Sequence, residues 1–276
     1  MQAEPELRLR HAREGEATRN GGIVTKSYLF SSTGLIALAR FVRADTLFAF
    51  NLDGILAHND AECPAVYLPE PVQATLLRLM NVAKVLMFSR KSRKETLVVL
   101  GFEPHLLICN YYIEGASQEG GRNWQNVRHC LKWREQVYEM LSDVKGLEIE
   151  FLGESVSIHY RKADDPKKAL SLIYATIEKL KPPPRKIDGK LVVNLLPGNA
   201  LTRGDALTDT MKLLGSSKAI YFGADRYDEE VFQLTAAAVF GIHVGKNEHT
   251  AALHYIHGPS EILGLLNSMV GILETH

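Results

Sequence analysis

The sequence predicts an α/β fold, with a Rossmann-like open sheet covered by helices on both faces and a smaller α+β domain inserted into it. The first observation is a set of short runs that are apolar nearly throughout, as expected of buried parallel strands. These runs are TLFAF (46–50), KVLMF (84–88), HLLIC (105–109), KLVVNLL (190–196), KAIYF (218–222) and AVFGIHV (238–244). The second observation is the helical periodicity of the segments between them. The third is a central region that alternates with a period of two instead.

Three segments beside these runs predict helices that cover the sheet. SSTGLIALARFVRAD (31–45) begins with a serine pair suited to capping, and EPVQATLLRLMNVA (70–83) has an apolar stripe at helical spacing. DEEVFQLTAAA (228–238) is the third segment. In an open sheet of this kind ligands bind beyond the carboxyl ends of the strands, so we expect the functional residues there.

The central region predicts a cap domain built differently from the core. Residues 124–143 and 166–180 have amphipathic helical patterns, and between them LEIEFLG (147–153) and SVSIHYR (155–161) alternate like strands with one wet face. The proline-rich KPPPRK (181–186) is typical of a connector. We therefore expect a disordered tail, a core in two segments and an inserted cap, with bounds 1–22 for the tail, 23–114 and 188–276 for the core, and 115–187 for the cap.

The composition excludes several classes of function. The 276-residue chain is 46% hydrophobic, and its 32 basic and 32 acidic residues balance. Nothing therefore attracts the chain as a whole to nucleic acid or to an anionic membrane, and no apolar stretch approaches the roughly 20 residues of a membrane span. The cysteines, Cys63, Cys109 and Cys130, have neither metal-site nor disulfide spacing. We expect core thiols and a cytoplasmic location, because the polar N-terminal segment lacks the apolar core of a secretion signal.

Chemically active side chains lie where several of the predicted strands end. NLDG (51–54) follows the first apolar run, SRK (89–91) follows the second, and GADRYDE (223–229) follows KAIYF. RGDAL (203–207) begins a predicted helix after the fourth run. Since such positions converge on one crevice, the crevice would hold carboxylates, a hydroxyl and cations. These are the groups that a phosphoryl-transfer site uses.

These motifs, in this order, resemble those of the haloacid dehalogenase (HAD) superfamily, and more narrowly those of the trehalose-6-phosphate phosphatases. NLDGIL stands where that family has D-x-D-G-T-L, and SRK stands where it has S-G-R. RGDAL stands where the family has K-G-x-A-L, and GADRYDE stands where it has G-D-D-x-T-D-E. GLEIEFLGESVSIHYRKAD (146–164) is similar to the family's cap hairpin, and residues 241–266 are similar to its usual ending. The resemblance implies an HAD core with an inserted cap from about residue 30 onward.

The resemblance also implies roles for the first and last motifs. Residue 51 would occupy the position of the attacking carboxylate, and Asp53 that of the general acid and base. Asn51 cannot form the aspartyl-phosphate, so a catalytically impaired chain is expected. The family's magnesium uses the first Asp and an acid of the G-D-D motif, and here Asn51 and Ala224 are uncharged. We therefore expect any Mg2+ to bind weakly, through Asp53, Asp225 and Asp228.

Further ligand contacts follow from the same resemblance. The implied phosphate-binding residues are Ser89, Arg90 and Arg203, and the implied substrate-binding residues of the cap are Glu150, His159 and Arg161. Leu152 stands where the family has a lysine. A cap without that cation would hold a sugar phosphate less well, or would hold a different ligand. Other interpretations do not require a ligand. Asp225 and Asp228 would then be acids favoured by the dipole at a helix N-terminus, and His159 and Arg161 would lie on a solvated face of the sheet.

Three interpretations of function remain open at this point. In the first, the chain binds a sugar phosphate, trehalose 6-phosphate or a similar one, or an unknown protein partner, without efficient turnover. In the second, it is an active phosphohydrolase in which Asp53 and Asp225 take over the roles of the carboxylates missing at residues 51 and 224. In the third, Asn51 was introduced deliberately in place of an aspartate. Departures at other motif positions favour natural divergence over the third, namely Ile55, Arg90, Arg203 and Ala224.

Overall fold

The computed structural model describes residues 17–19, 22–24, 26–56, 67–109, 124–189, 191–234 and 238–275. The first part of the chain contains β1 (Ala17–Arg19), β2 (Gly22–Val24), β3 (Ser27–Tyr28), α1 (Ser32–Phe41), β4 (Leu47–Asn51), α2 (Glu70–Val82), β5 (Lys84–Phe88), α3 (Arg93–Leu100) and β6 (Leu106–Ile108). The middle contains α4 (Trp124–Met140), β7 (Glu148–Phe151), β8 (Val156–His159), α5 (Pro166–Ile177), β9 (Arg185–Gly189) and β10 (Val192–Leu196). The last part contains α6 (Arg203–Leu214), β11 (Lys218–Gly223), α7 (Glu229–Phe232), β12 (Ala238–Val244), β13 (His254–Ile256) and α8 (Ile262–Glu274).

A seven-stranded sheet forms the centre of the α/β architecture. Its strand order is β3-β13-β12-β11-β4-β5-β6, and β11 pairs in parallel with both β12 and β4. All five residues of β4 are buried, as are five of the six residues of β11. This burial explains why these strands are apolar throughout, because side chains leave a strand on both faces and both faces are covered. The predicted fold class, α/β with a parallel sheet, is confirmed.

A second sheet has four antiparallel strands in the order β7-β8-β10-β9. One face of it packs against α4 and α5 in a core that includes Trp133, Ile158 and Ile173. Asp165 caps the N-terminus of α5, and its carboxylate accepts hydrogen bonds from the backbone N–H groups of Lys167 and Lys168. The two amphipathic helices and the two alternating strands predicted for the middle of the chain are all present.

The assignment of residues 190–196 to the parallel sheet is wrong. β10 pairs antiparallel with β8 and with β9, so this strand belongs to the four-stranded sheet. Val193 and Leu195 pack into the helix-covered core, while Asn194 on the opposite face is also fully buried. An apolar run indicates that both faces of a strand are buried. It does not indicate whether the neighbouring strands run parallel or antiparallel to it.

Smaller differences concern short elements. β3 and β13 extend the parallel sheet at one edge and were not predicted. β9 begins at Arg185, inside the stretch predicted as a connector. α7 has only four residues, whereas a longer helix was predicted there. β1 and β2 form an antiparallel pair at the end of the predicted tail, whose residues 1–16 lie outside the described residues.

The chain divides into two compact units. The first comprises Met1–Met87, Val99–His105 and Leu207–His276, and the second comprises Phe88–Val98 and Leu106–Ala206. The predicted core and cap boundaries stay predictions. The one at 114/115 lies outside the described residues, and the one at 187/188 falls within β9.

Candidate functional site

The parallel pairing of β4 with β11 positions the candidate site in the first unit. Phe222 of β11 lies opposite Phe50 of β4, and their rings stack with centroids 4.6 Å apart. The next residue of each strand, Asn51 and Gly223, ends it on the same edge of the sheet. Side chains after these two strands are therefore brought together, as the order of the motifs predicts.

Asn51 is fully buried, and both the nitrogen and the oxygen of its side-chain amide form hydrogen bonds. Its Nδ2 donates to Asp225 Oδ2 at 3.2 Å and to Asp228 Oδ2 at 3.2 Å. Its Oδ1 accepts from the backbone N–H of Asp53 at 3.2 Å. This orientation of the amide is the favourable one, since the opposite one would turn an oxygen toward two carboxylates and an N–H toward another N–H.

Asp228 accepts hydrogen bonds from three donors in addition to Asn51. Its Oδ2 accepts from the backbone N–H of Ala224 at 2.5 Å and of Asp225 at 2.8 Å, and its Oδ1 accepts from the hydroxyl of Tyr221. Asp225 is held in the same way, because its Oδ1 accepts from the backbone N–H of Tyr227 at 2.8 Å. These contacts fold the loop after β11 around the two acids.

Two residues of this arrangement were missed by sequence reasoning. Tyr221 lies inside an apolar run, and only the structure brings its hydroxyl to Asp228. Gly223 packs directly against the same side chain, since a Cβ at residue 223 would overlap Cβ and Cγ of Asp228. The glycine of the GADRYDE motif was a usable signal, because a glycine at a strand end often marks a close approach.

Asn51 does not offer magnesium an oxygen ligand on the side that faces the two acids. Mg2+ requires oxygen ligands in nearly octahedral geometry, but the group that β4 presents to Asp225 and Asp228 is an N–H donor. Within the described ranges, no group of three or more His, Cys, Asp or Glu side chains is placed to hold a metal ion. Magnesium binding through Asp53, Asp225 and Asp228 stays a prediction.

The predicted phosphate-binding residues lie in the second unit. Ser89 follows β5 and is buried, and its Oγ accepts from the backbone N–H of Lys91 at 3.1 Å. Arg203 is fully buried at the start of α6, with its guanidinium carbon 5.7 Å from the ring centroid of Phe88. Arg90 is half-buried. Within this unit, a buried cation therefore lies over the residue that precedes the serine.

The predicted substrate residues of the cap lie on β7 and β8 or just beyond them. His159 Nε2 and Glu150 Oε2 are 3.3 Å apart, and both side chains are substantially exposed. Arg161 is exposed, whereas burial and the charge of Asp188 raise the pKa of Tyr160. The structure thus pairs two of the three predicted residues on the face of the sheet opposite the helices. Contact with a substrate stays a prediction for all three.

Both cysteines of the described residues are buried. Cys109 Sγ donates to Thr96 Oγ1 at 3.5 Å, and burial, together with the charge of Glu154, raises the pKa of Cys130 to about 12. Core thiols were expected at both positions, and Cys63 lies outside the described residues. In the part of the chain that the structure describes, no helix combines the length and the apolar character that crossing a membrane requires.

Comparisons with known proteins support the resemblance drawn from the motifs. No family model matches the chain. A probable trehalose-phosphate phosphatase D of Arabidopsis thaliana is 30% identical over 143 residues, which make up 49% of this chain and 39% of that protein. The match therefore spans well under half of the curated relative.

Solved structures share the fold over most of the chain. The trehalose-6-phosphate phosphatase of Aspergillus fumigatus superposes with a TM-score of 0.62 at 18% identity, covering 91% of this chain and all of that one. The C-terminal domain of the Candida albicans trehalose synthase regulatory protein superposes with a TM-score of 0.61 at 14% identity, covering 89% and 100%.

Fold and motif order together define the class: the chain has the haloacid dehalogenase fold. Within that class its fold is the one found in trehalose-6-phosphate phosphatases and their relatives, and it is to these proteins that the sequence is similar.

Proposed function

We propose that the chain is a non-catalytic relative of the trehalose-6-phosphate phosphatases that binds a sugar phosphate without efficient turnover. The observation that carries this proposal is the orientation of Asn51, whose Nδ2 faces Asp225 and Asp228 at 3.2 Å. A nucleophile requires a lone pair directed at phosphorus, and the amide nitrogen offers a hydrogen-bond donor instead. Asn51 also presents this donor to Asp225 and Asp228 where the resemblance implies a magnesium-binding carboxylate.

Other features support binding of a phosphorylated ligand. Ser89 supplies a hydroxyl and Arg203 a permanent cation, both of which bind phosphate oxygens well. The C-terminal domain of a protein named for regulation rather than hydrolysis, the Candida albicans trehalose synthase regulatory protein, has this fold. The buried thiols Cys109 and Cys130 support a reducing compartment such as the cytoplasm.

The test is release of inorganic phosphate from trehalose 6-phosphate by the full chain with Mg2+. We expect release at the level of a protein-free blank. In the rescue variant, Asn51→Asp is combined with Ala224→Asp, which restores both carboxylates of the family's pattern. Its expected Mg2+-dependent rate exceeds that of the unaltered chain by about a hundredfold or more. Ala224→Asp alone is the matched control, and it stays at the blank because it lacks the nucleophile.

The opposite result identifies the competing function. Robust release by the unaltered chain that is lost in Asp53→Ala would overturn the proposal and favour an active phosphohydrolase working through Asp53 and Asp225. Binding is measured separately by calorimetry with trehalose 6-phosphate. Saturable binding that weakens in Arg203→Gln supports the proposal, and absence of binding up to about 1 mM contradicts its sugar-phosphate half.

A further inference from the structure

A run of positive charge follows the predicted phosphate-binding serine directly. Residues 90–94 read RKSRK, so four of the five residues after Ser89 are cations, and we call this stretch the basic segment. One of them, Arg90, stands where the family's S-G-R pattern has a glycine. Because the chain as a whole has no net charge, this excess of positive charge is a local property of the predicted phosphate site.

The backbone holds the start of the basic segment against the serine. Ser89 is buried just after β5, and its Oγ accepts from the backbone N–H of Lys91 at 3.1 Å. The chain therefore turns back on Ser89 at once and enters α3 only two residues later, at Arg93. A phosphate bound at Ser89 would lie within reach of the lysine side chains that follow, since a lysine stem is long and flexible.

The N-terminus of α3 is not itself the binding site for an anion. Ser92 and Glu95 form a capping box, in which the backbone N–H of Ser92 donates to Glu95 Oε2 at 3.1 Å and that of Glu95 donates to Ser92 Oγ at 3.3 Å. Ser92 Oγ also donates to the same carboxylate at 2.6 Å. The chain's own carboxylate thus occupies the helix end, and a ligand anion at the basic segment has to be bound by side-chain cations.

Two lysines of the basic segment are available to an anion. Lys91 and Lys94 are exposed, and among the described residues no carboxylate forms an ion pair with either of them. The hydrogen bond from Ser92 lowers the pKa of Glu95 and the charge of Lys91 adds to that effect, yet the Glu95 carboxylate is bonded to Ser92 and not to the lysine. The positive charge of both lysines is therefore presented to solvent beside the predicted phosphate site.

We propose that the ligand is a sugar bisphosphate, whose second phosphate binds the basic segment through Lys91 and Lys94. The inference rests on the proposed function, because it assigns the first phosphate to Ser89 and Arg203. The two kinds of cation suit the two positions. A buried guanidinium holds one phosphate in a fixed geometry, whereas exposed ammonium groups on flexible stems bind a phosphate that stays in contact with water. A local field of this sign also favours ligands of higher negative charge.

The test compares matched sugars with zero, one and two phosphates on the full chain. Fructose, fructose 6-phosphate and fructose 1,6-bisphosphate are titrated by calorimetry, with trehalose 6-phosphate as the reference for the proposed function. We expect the bisphosphate to bind about threefold to tenfold tighter than the monophosphate at low salt, and the difference to narrow as salt is added. Equal affinities of the two fructose phosphates at low salt would overturn the inference.

A double variant tests the two lysines. Lys91→Gln with Lys94→Gln should remove the advantage of the bisphosphate and change the affinity for fructose 6-phosphate by less than about twofold. Lys167→Gln with Lys168→Gln is the matched control, since it removes the same charge from two exposed lysines at the start of α5 and should preserve the advantage. Equal losses in the two double variants would indicate a general charge effect and contradict the assignment.

A single variant locates the site, and trehalose 6-phosphate separates the two proposals. Ser89→Ala, checked for folding by circular dichroism, should weaken both fructose phosphates by a similar factor of about threefold to tenfold. Bisphosphate binding that is unaffected by this change would place the ligand elsewhere and refute the inference. Saturable binding of trehalose 6-phosphate without any advantage of the bisphosphate would retain the proposed function and remove this inference. If no sugar phosphate binds up to about 1 mM, both are wrong.

Discussion

At the scale of single residues, the acids of the candidate site accept hydrogen bonds from neighbouring side chains and backbone groups. Asp225 and Asp228 share the two amide hydrogens of Asn51, and Asp228 also accepts from Tyr221 and from the backbone of Ala224. An aspartate at residue 51 would remove these donors and add a third negative charge. The neutral amide therefore accounts for the close approach of the two acids.

Part of this arrangement was predictable from the sequence and part was not. The motif order identified Asn51, Asp225 and Asp228 because each follows a predicted strand. Tyr221 could not be identified, since a tyrosine inside a buried strand looks like any other core residue. The donor role of Asn51 was equally hidden, because an amide can present either its oxygen or its nitrogen, and only the positions of its neighbours decide which.

The close packing of Gly223 leads to a prediction about stability. Gly223→Ala places a methyl group into the space occupied by Asp228, and the strand on which it lies cannot shift freely. We expect the free energy of unfolding to fall by about 1–3 kcal/mol in urea denaturation. The control is Gly271→Ala within α8, where a Cβ meets open space and should stabilise the helix by up to about 1 kcal/mol. Equal effects of the two changes would refute the packing argument.

At the scale of elements, the hydrophobic pattern predicted where strands occur better than it predicted which strands pair with one another. The parallel sheet contains β4, β5, β6, β11 and β12 as predicted, and most of their residues are buried. β10 lies in the four-stranded sheet. It has the same apolar pattern because both of its faces are buried there too. β3 and β13 have two and three residues, too short for any periodicity to be visible. Strand direction depends on contacts distant in sequence, which a local pattern does not contain.

Helix capping gives a prediction at the same scale. The carboxylate of Asp165 accepts from the first backbone N–H groups of α5, at 3.1 Å from Lys167 and 3.0 Å from Lys168. Asp165→Ala leaves those groups without the side-chain acceptor and should lower the free energy of unfolding by about 0.5–2 kcal/mol. Asp164→Ala is the control, as Asp164 is an exposed neighbour outside the cap. Thermal unfolding followed by circular dichroism compares them, and a loss of equal size in both would argue against capping.

At the scale of the whole molecule, two partly buried histidines link stability to pH. Burial lowers the pKa of His254, and burial together with Lys84 lowers that of His105. His105 Nδ1 accepts from the backbone N–H of Val85 at 3.2 Å, which requires a neutral nitrogen. In the unfolded chain both rings take up a proton near the ordinary value of 6.5. Protonation therefore favours the unfolded state below that pH.

The sign of this linkage defines the expected pH profile. The contribution of each histidine is fully present above pH 6.5 and is lost as the pH falls toward the lowered pKa of the folded state. His254→Phe should flatten the loss of stability between about pH 7 and about pH 5, as measured by urea denaturation at several pH values. His249→Phe, a change at an exposed histidine, should leave the slope unaltered. An unchanged slope in His254→Phe would show that its ring is not kept neutral by the fold.

The short helix α7 links the acidic loop after β11 to the aromatic side chain of Phe232. α7 starts next to Asp228 and ends at Phe232, whose backbone N–H donates to the carbonyl oxygen of Asp228 at 2.9 Å. Tyr221 contacts both residues, through its hydroxyl on one side and an edge-on ring contact of 5.7 Å on the other. A change at Phe232 therefore affects a tyrosine that also holds Asp228. We expect Phe232 and Asp228 to be energetically coupled, so that the effects of replacing each of them on the free energy of unfolding are not additive.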